Sequence, residues 1–267
     1  MTFKTGLATA LLAAVVAAIV SAATVLFVGR DAAGTAALPG DAPDKKQVED
    51  IVHDYLTKNP EILVAMTTEL DRRQKEEQDV QQTKAISDNA DALFRSDKSY
   101  TAGNPDGDVT VVEFFDYNCG YCKRAMGDML ELMKNDPKLK VVLKEFPVLS
   151  QGSVEAAQVA VAVRMQDPSG KKYLDFHQRL LNGRGAADKA RAIQAAKEAG
   201  LDTARIEKDI SSPEVRATIE ENFKLAEAMG MNGTPSYVIG KQIVIGAVGV
   251  EALREKIGIA RCGKATC

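Results

Sequence analysis

Tryptophan is absent from the 267 residues, and aromatic side chains make up only 5% of them. Histidine occurs only at His53 and His177, which form no ligand-like cluster in sequence. Strong net charge is missing too: 34 Lys and Arg stand against 37 Asp and Glu, a balance of −3. No basic face of the kind nucleic acid requires is indicated. Between Gly6 and Gly29 charge is lacking altogether. Cysteine is sparse, at Cys119, Cys122, Cys262 and Cys267. Four cysteines allow about three pairings, and the spacing favours Cys119–Cys122 and Cys262–Cys267.

What is present is a normal globular balance, 45% hydrophobic and 27% charged, in a length that suits one large domain or one ordinary domain with appendages. The 24-residue uncharged run reaches about 36 Å as a helix, enough to span a bilayer. Lys4 precedes it and Arg30 follows. Small residues at Val20-Ser21-Ala22 and Ser21-Ala22-Ala23 also suit a signal peptidase. Residues 1–30 therefore read as a signal peptide or a membrane anchor, with the rest of the chain exported to where disulfides form.

Residues 31–44, rich in Ala, Gly, Pro and Asp, read as a linker. Residues 45–96 read as a helical arm. Val48, Ile51, Val52, Tyr55 and Leu56 fall at helical spacing. Asn59-Pro60-Glu61 looks like a restart with Asn59 as N-cap and Pro60 at the first helical position. Ile62, Leu63, Met66 and Leu70 continue the stripe, and Ile86, Ala90, Leu93 and Phe94 restore it later. From Asp71 to Lys84 Val80 is the only large apolar residue, as in a helix crossing solvent. Such an arm either pairs with copies of itself or folds back on its own domain; the first is favoured.

From residue 97 the pattern changes, and residues 99–118 turn β-like. Asn104-Pro105-Asp106-Gly107 signals a turn, and Val109 to Phe115 suits a strand buried on both faces. A helix follows over Lys123–Met133, then a strand over Lys140–Phe146. Residues 150–230 read as helices, broken at Asp167–Gly170, Asn182–Gly185, Gly200 and Ser212-Pro213. Ser236–Ile239 and Gln242–Ile245 form a hairpin across Gly240-Lys241, and Val250–Ile257 a last helix.

Cys119-Gly120-Tyr121-Cys122 lies at a strand-to-helix junction. Free N–H groups and the positive end of the helix dipole stabilise a thiolate there. Cys122, about one turn on, lies on the same face and can resolve a mixed disulfide. Cys119 is thus expected to be the exposed nucleophile and Cys122 the buried resolving thiol. Half a zinc site is the main competitor, but Cys262 and Cys267 sit far off in a polar tail. Thr234-Pro235, after the helices and before the hairpin, is the expected place for a cis-proline. It would leave Thr234 backbone free to pair with substrate.

These stretches, Val111 to Cys122 and Gly233-Thr234-Pro235-Ser236-Tyr237-Val238, resemble the DsbA-like thioredoxin-fold proteins of the bacterial periplasm. Residues 47–70 resemble the N-terminal segment of the ScsC, or suppressor-of-copper-sensitivity, branch. The resemblance implies an α/β thioredoxin fold over 97–258 with an inserted helical subdomain, preceded by the helical arm, with a Cys-containing tail at 259–267. It implies a periplasmic thiol–disulfide oxidoreductase without cofactor or resident metal. Its partners would be unfolded or misoxidised exported proteins and a membrane redox partner. A homodimer or homotrimer is expected.

Gly120-Tyr121 between the cysteines, and Thr234 before the proline, resemble the isomerase DsbC rather than the strongly oxidising members. Disulfide isomerase or reductase is therefore favoured over a DsbA-type oxidase. A copper-binding or chaperone module stays open, since soft thiolates suit Cu(I). The acidic residue of the family beneath the active site matches Glu113, with Lys144 as a candidate charge partner. A Cys262–Cys267 disulfide would close a short loop and constrain little.

Overall fold

The computed structural model describes residues 44–267 apart from Pro168. The expectations for residues 1–30 and for most of the linker lie outside the described residues. Among those described, no helix is long and apolar enough to cross a membrane. The described residues divide into two units, between Glu69 and Leu70.

In the first unit, helix α1 spans Lys45–Lys58. Asp44 caps it, accepting from Gln47 N at 2.8 Å, while the Gln47 side chain accepts from Asp44 N at 3.0 Å. This reciprocal capping box satisfies two amide donors at the helix start. None of its residues is buried, and Val48, Ile51, Val52, Tyr55 and Leu56 are all exposed. Asn59 caps the end of α1, its N–H and Nδ2 donating back to Tyr55 O at 3.0 and 2.7 Å, while its carbonyl accepts from Ile62 N at 3.1 Å where the next helix starts. Helix α2, Glu61–Asp88, begins in this unit and ends in the second. Its Leu63, Val64, Met66, Leu70 and Val80 are exposed, whereas Ile86 is buried.

The second unit is built on a five-stranded sheet of order β1-β3-β2-β4-β5. The strands are β1 (Tyr100–Gly103), β2 (Val109–Phe115), β3 (Leu139–Glu145), β4 (Ser236–Ile239) and β5 (Gln242–Ile245). β2 and β3 are parallel and the other pairs antiparallel. Helix α3 (Ala90–Phe94) precedes the sheet, α4 (Gly120–Asn135) links β2 to β3, and α10 (Val250–Cys262) closes the chain. Between β3 and β4 lie α5 (Gln151–Gln166), α6 (Lys171–Asn182), α7 (Lys189–Glu198), α8 (Thr203–Asp209) and α9 (Pro213–Ala228). Ala156, Ala157, Val159, Ala160, Val161, Ala162 and Val163 of α5 are all buried. A helix apolar on every side belongs in the interior, and α5 packs against α7, α9, α8 and α6.

Alternation along the strands divides the core in two. Val111 and Phe115 face one side, with Val141, Leu143, Tyr237, the two cysteines and the inserted helices. Val112 and Phe114 face the other, with Ile86, Leu93, Leu225 and Met229. Ile86 and Leu93 are therefore part of the second unit's core, so the packing does not change at the expected 96/97 boundary.

β1 is the strand that patterning leaves undefined. It is short and ends at Gly103, whose φ of +70° suits glycine. A Cβ there would meet Leu139 O at 2.5 Å. Cys262, the last residue of α10, is joined to Cys267 in a disulfide.

Candidate active site

The site begins where β2 ends. Asp116, buried, ties the following loop down with three backbone bonds. Its Oδ1 accepts from Asn118 N at 2.7 Å, and Oδ2 from Val148 N at 2.9 Å and Leu149 N at 3.0 Å. Its carbonyl accepts from Cys119 N at 3.0 Å. Cys119 is then the N-cap of α4, in extended conformation, and its Sγ accepts from Cys122 N at 3.3 Å. A sulfur at this place receives the free amides of the first turn, as the spacing predicts.

Both thiols are free. Cys119 is 6% exposed and Cys122 1%. Cys119, expected to be an exposed nucleophile, is therefore nearly covered, and Tyr121 between the two cysteines is the open residue at 59%. The Arg124 guanidinium lies over the Tyr121 ring, 4.4 Å from its centre, within cation–π range. Burial pushes the Cys122 thiol well up, and the nearby Glu113 carboxylate adds to the shift.

Thr234-Pro235 is a cis peptide. The Cys119 thiol donates to Thr234 O at 3.2 Å, which brings the two sequence motifs into one site. Ser236 Oγ donates to Gly233 O at 2.7 Å, and Gly246 N donates to Pro235 O at 2.8 Å. Thr234 Oγ1 is buried and without a partner among the described residues.

Glu113 is 4% exposed and shares the cysteines' face of the sheet. Desolvation pushes its carboxyl up to about 8. Lys144 is not its partner. The parallel register sets Glu113 beside Leu143 and Lys144 beside Phe114, so strand alternation sends the two charges to opposite faces. Lys144 instead donates to Ser99 Oγ at 2.8 Å, and burial lowers its ammonium to about 8 against the opposing pull of Glu221.

Several positioning residues carry no recognisable signature in one sequence. Asn118 Nδ2 donates to Ala187 O at 2.8 Å and to Ser153 Oγ at 3.0 Å, while its Oδ1 accepts from Ala187 N at 2.7 Å. Tyr117 Oη lies 3.0 Å from His177 Nδ1. Burial lowers His177 to about 3, so the ring is neutral at ordinary pH. Lys123 Nζ donates to the carbonyls of Asn182 and Gly183 at 3.0 and 3.1 Å. The redox loop is thereby fastened to α5 and α6 and to the segment between α6 and α7. Asp116-Tyr117-Asn118 lie inside the motif, but their partners come from the segment between β3 and β4, 32 to 69 positions away.

Residues 110–258 match the DSBA-like thioredoxin domain family. The chain belongs to the DsbA-like thioredoxin family. Residues 44–77 match the copper resistance protein ScsC N-terminal domain. A thioredoxin-like oxidoreductase from Silicibacter pomeroyi DSS-3 is 43% identical, with 64% of this chain and 96% of that one covered at a TM-score of 0.61. Proteus mirabilis ScsC in a transitional conformation is 31% identical, covering 85% of this chain and 99% of that chain, also at 0.61. The thiol:disulfide interchange protein DsbA of Bordetella pertussis is 27% identical over 138 residues, 50% of this chain and 64% of that one. The chain also matches Na(+)/H(+) antiporter NhaA of Herminiimonas arsenicoxydans, at 27% identity over 165 residues, but spans only 26% of its length.

Proposed function

We propose that this DsbA-like protein is a periplasmic thiol–disulfide oxidoreductase acting on exported proteins, with isomerase or reductase activity favoured over oxidation. The observation that carries the reading is the free Cys119 thiol at the N-terminus of α4, 3.2 Å from Thr234 O. A substrate disulfide presented along Thr234 would stand beside the attacking sulfur. The Cys119 thiolate attacks one substrate sulfur, forming a mixed disulfide and expelling the other as a thiolate. Cys122 then loses its proton to Glu113 and attacks Cys119 Sγ. The Cys119–substrate bond breaks, the second substrate sulfur leaves, and the active-site pair is oxidised. In isomerisation the substrate's own thiol performs the second attack and Cys119 returns reduced.

Glu113 fits the acceptor role for a physical reason. A carboxylate and a thiolate packed in one apolar cluster repel, so the proton is better handed over than lost to solvent. Gly120-Tyr121 and Thr234 favour the isomerase reading on their resemblance to DsbC. A membrane redox partner would keep the pair reduced. The export segment at 1–30 is read as signal or anchor.

The arm supports a homodimer or homotrimer. Its first unit exposes Val48, Ile51, Val52, Tyr55, Leu56, Leu63, Val64 and Met66, an apolar load that short helices do not carry stably alone in water. The likeness to the ScsC N-terminal domain supports the same reading.

The test is insulin reduction together with refolding of a scrambled multi-disulfide protein. Wild type should do both and Cys119→Ala neither. Full activity in Cys119→Ala would sink the proposal. Tight stoichiometric Cu(I) uptake without catalysis would instead favour the copper-binding alternative.

A further inference from the structure

Tyr237 follows Pro235 by two positions and stands directly opposite Glu113 in the β2–β4 ladder. Opposed residues of an antiparallel pair keep their Cβ atoms about 4.5–5.5 Å apart on one face. Tyr237 is fully buried in the cluster that holds Cys119, Cys122 and Phe115. Its hydroxyl is buried too, and has no hydrogen-bond partner among the described residues. Phenylalanine would fill the same space without burying a polar atom, so an orphan hydroxyl here costs stability for no packing return.

The groups able to use that hydroxyl are few. Glu113 on β2, Cys119 and Cys122 at the start of α4, and Asp128 further along α4 act on it electrostatically. Across the sheet, β3 offers Leu143 beside Glu113, and β5 offers Val244 opposite Tyr237. Helix α10, which packs on β2, β4 and α4, buries Leu253 and Ile257, with Lys256 half-buried. Among these groups Glu113 is the one set opposite Tyr237 by the ladder.

We propose that Tyr237 is a positioning residue for the resolving step, its hydroxyl donating to one oxygen of ionised Glu113 and leaving the other to take the Cys122 proton. The proposal rests on the reading of Glu113 as that acceptor. In the step, the Cys122 S–H bond breaks and the proton goes to Glu113. The sulfur's electron pair forms the Cys119–Cys122 bond, the Cys119–substrate bond breaks, and the substrate sulfur leaves as a thiolate. Tyr237 keeps its own proton throughout, since burial pushes its phenol well up. A hydrogen bond to the carboxylate favours its ionised form. Tyr237 therefore keeps more of Glu113 ready as a base near neutrality.

The test uses the full chain and its Tyr237→Phe, Glu113→Gln and double variants. Each reduced protein is mixed with oxidised glutathione, acid-quenched at intervals and followed by mass spectrometry. The Cys119–glutathione adduct forms in the first phase and decays in the second as Cys122 attacks. Tyr237→Phe should leave the first phase unchanged and move the midpoint of the decay–pH profile up by about one unit. That is about a tenfold slower decay near neutral pH. In the Glu113→Gln background the same change should have no further effect. A wild-type decay profile in Tyr237→Phe, or equal slowing with and without Glu113, overturns the proposal. Unchanged decay in Glu113→Gln alone defeats the Glu113 reading and the proposal with it. An altered Glu113→Gln beside a normal Tyr237→Phe removes Tyr237 only.

Discussion

The Cys119 thiol and the Thr234 carbonyl oxygen lie 3.2 Å apart, although 115 positions separate them in the chain. The two motifs come together because β4 lies antiparallel against β2, with Ser236 opposite Phe114. The end of β2 and the start of β4 thus meet at one end of the sheet. The attack and docking proposed above would therefore share that one end of the sheet.

Removal of the resolving thiol should trap what is otherwise transient. Cys122→Ser keeps the attacking sulfur and its helix start. It should accumulate mixed disulfides with substrate, seen as reducible high-mass bands on a non-reducing gel. Cys119→Ser should give none. Equal bands from both variants would contradict the assignment of roles.

Asn118 holds the redox loop to Ala187 and Ser153 through three bonds of 2.7–3.0 Å. At about 1 kcal/mol for each net bond, Asn118→Ala should lose roughly 2–3 kcal/mol in urea unfolding. Hydrogen exchange at the Ala187 amide should speed up. An unchanged unfolding midpoint would show the bonds to be incidental.

Glu113 makes stability fall with rising pH over a defined window. Its carboxyl is pushed from 4.5 up to about 8 by burial, so between these values the folded state binds the proton and the unfolded state does not. The contribution is whole below about pH 4.5 and is lost as pH rises through about 8. At roughly 1.4 kcal/mol per unit, the loss is on the order of a few kcal/mol. Glu113→Gln should cancel that slope. Its stability relative to wild type should grow between pH 5 and 8, measured by urea melts (about 1 kcal/mol is resolvable by such melts). A constant difference across the range would refute this.

His177 acts in the opposite sense. Its imidazole is lowered from 6.5 to about 3 by burial, so the unfolded state binds the proton first. Stability is whole above about pH 6.5 and is lost as pH falls toward 3. Tyr117→Phe removes the hydroxyl 3.0 Å from Nδ1 and leaves that nitrogen unpaired. With the Tyr117 hydroxyl donating to the neutral ring, its loss should cost about 1–3 kcal/mol at neutral pH and raise the apparent His177 value measured by NMR titration. No change in either quantity would show that the pair is mere packing.

The arm is tested by charge. Ile51→Asp with Tyr55→Asp alters two exposed side chains of α1. If the arm pairs with copies of itself, sedimentation should show residues 45–267 changing from oligomer to monomer. Monomeric wild type would count against the homo-oligomer. A deletion variant should stop before Ile86, because Ile86 and Leu93 belong to the core of the second unit.

The readable parts of the chain were those where local chemistry decides. β2 shows as an unbroken apolar and β-branched run, and the hairpin at 236–245 is punctuated by Gly240. The breaks at Asp167–Gly170 and Ser212-Pro213 fall where the helices of the insertion end or begin. β3 lies one residue earlier than patterning suggests, since Leu139 pairs with Val109 and Phe146 passes into the loop. β1 falls inside the stretch that reads as β-like, but only its pairing with β3 defines Tyr-Thr-Ala-Gly as a strand. At the site, Cys119, Cys122, Thr234 and Pro235 were visible as motifs. Which face Lys144 takes is a matter of register with β2, which no single strand discloses. The partners of Asn118, Tyr117 and Tyr237 are likewise tertiary.

Glu113 and Lys144 are buried in adjacent strands and point opposite ways. The sheet thus acts as a partition one backbone thick between two largely apolar cores, with Glu113 on one side and Lys144 on the other. A lineage could revise the Lys144–Ser99 side to suit temperature or pH while the sulfur chemistry behind the wall kept its tuning. It could equally revise the sulfur side while the foundation stayed as it was.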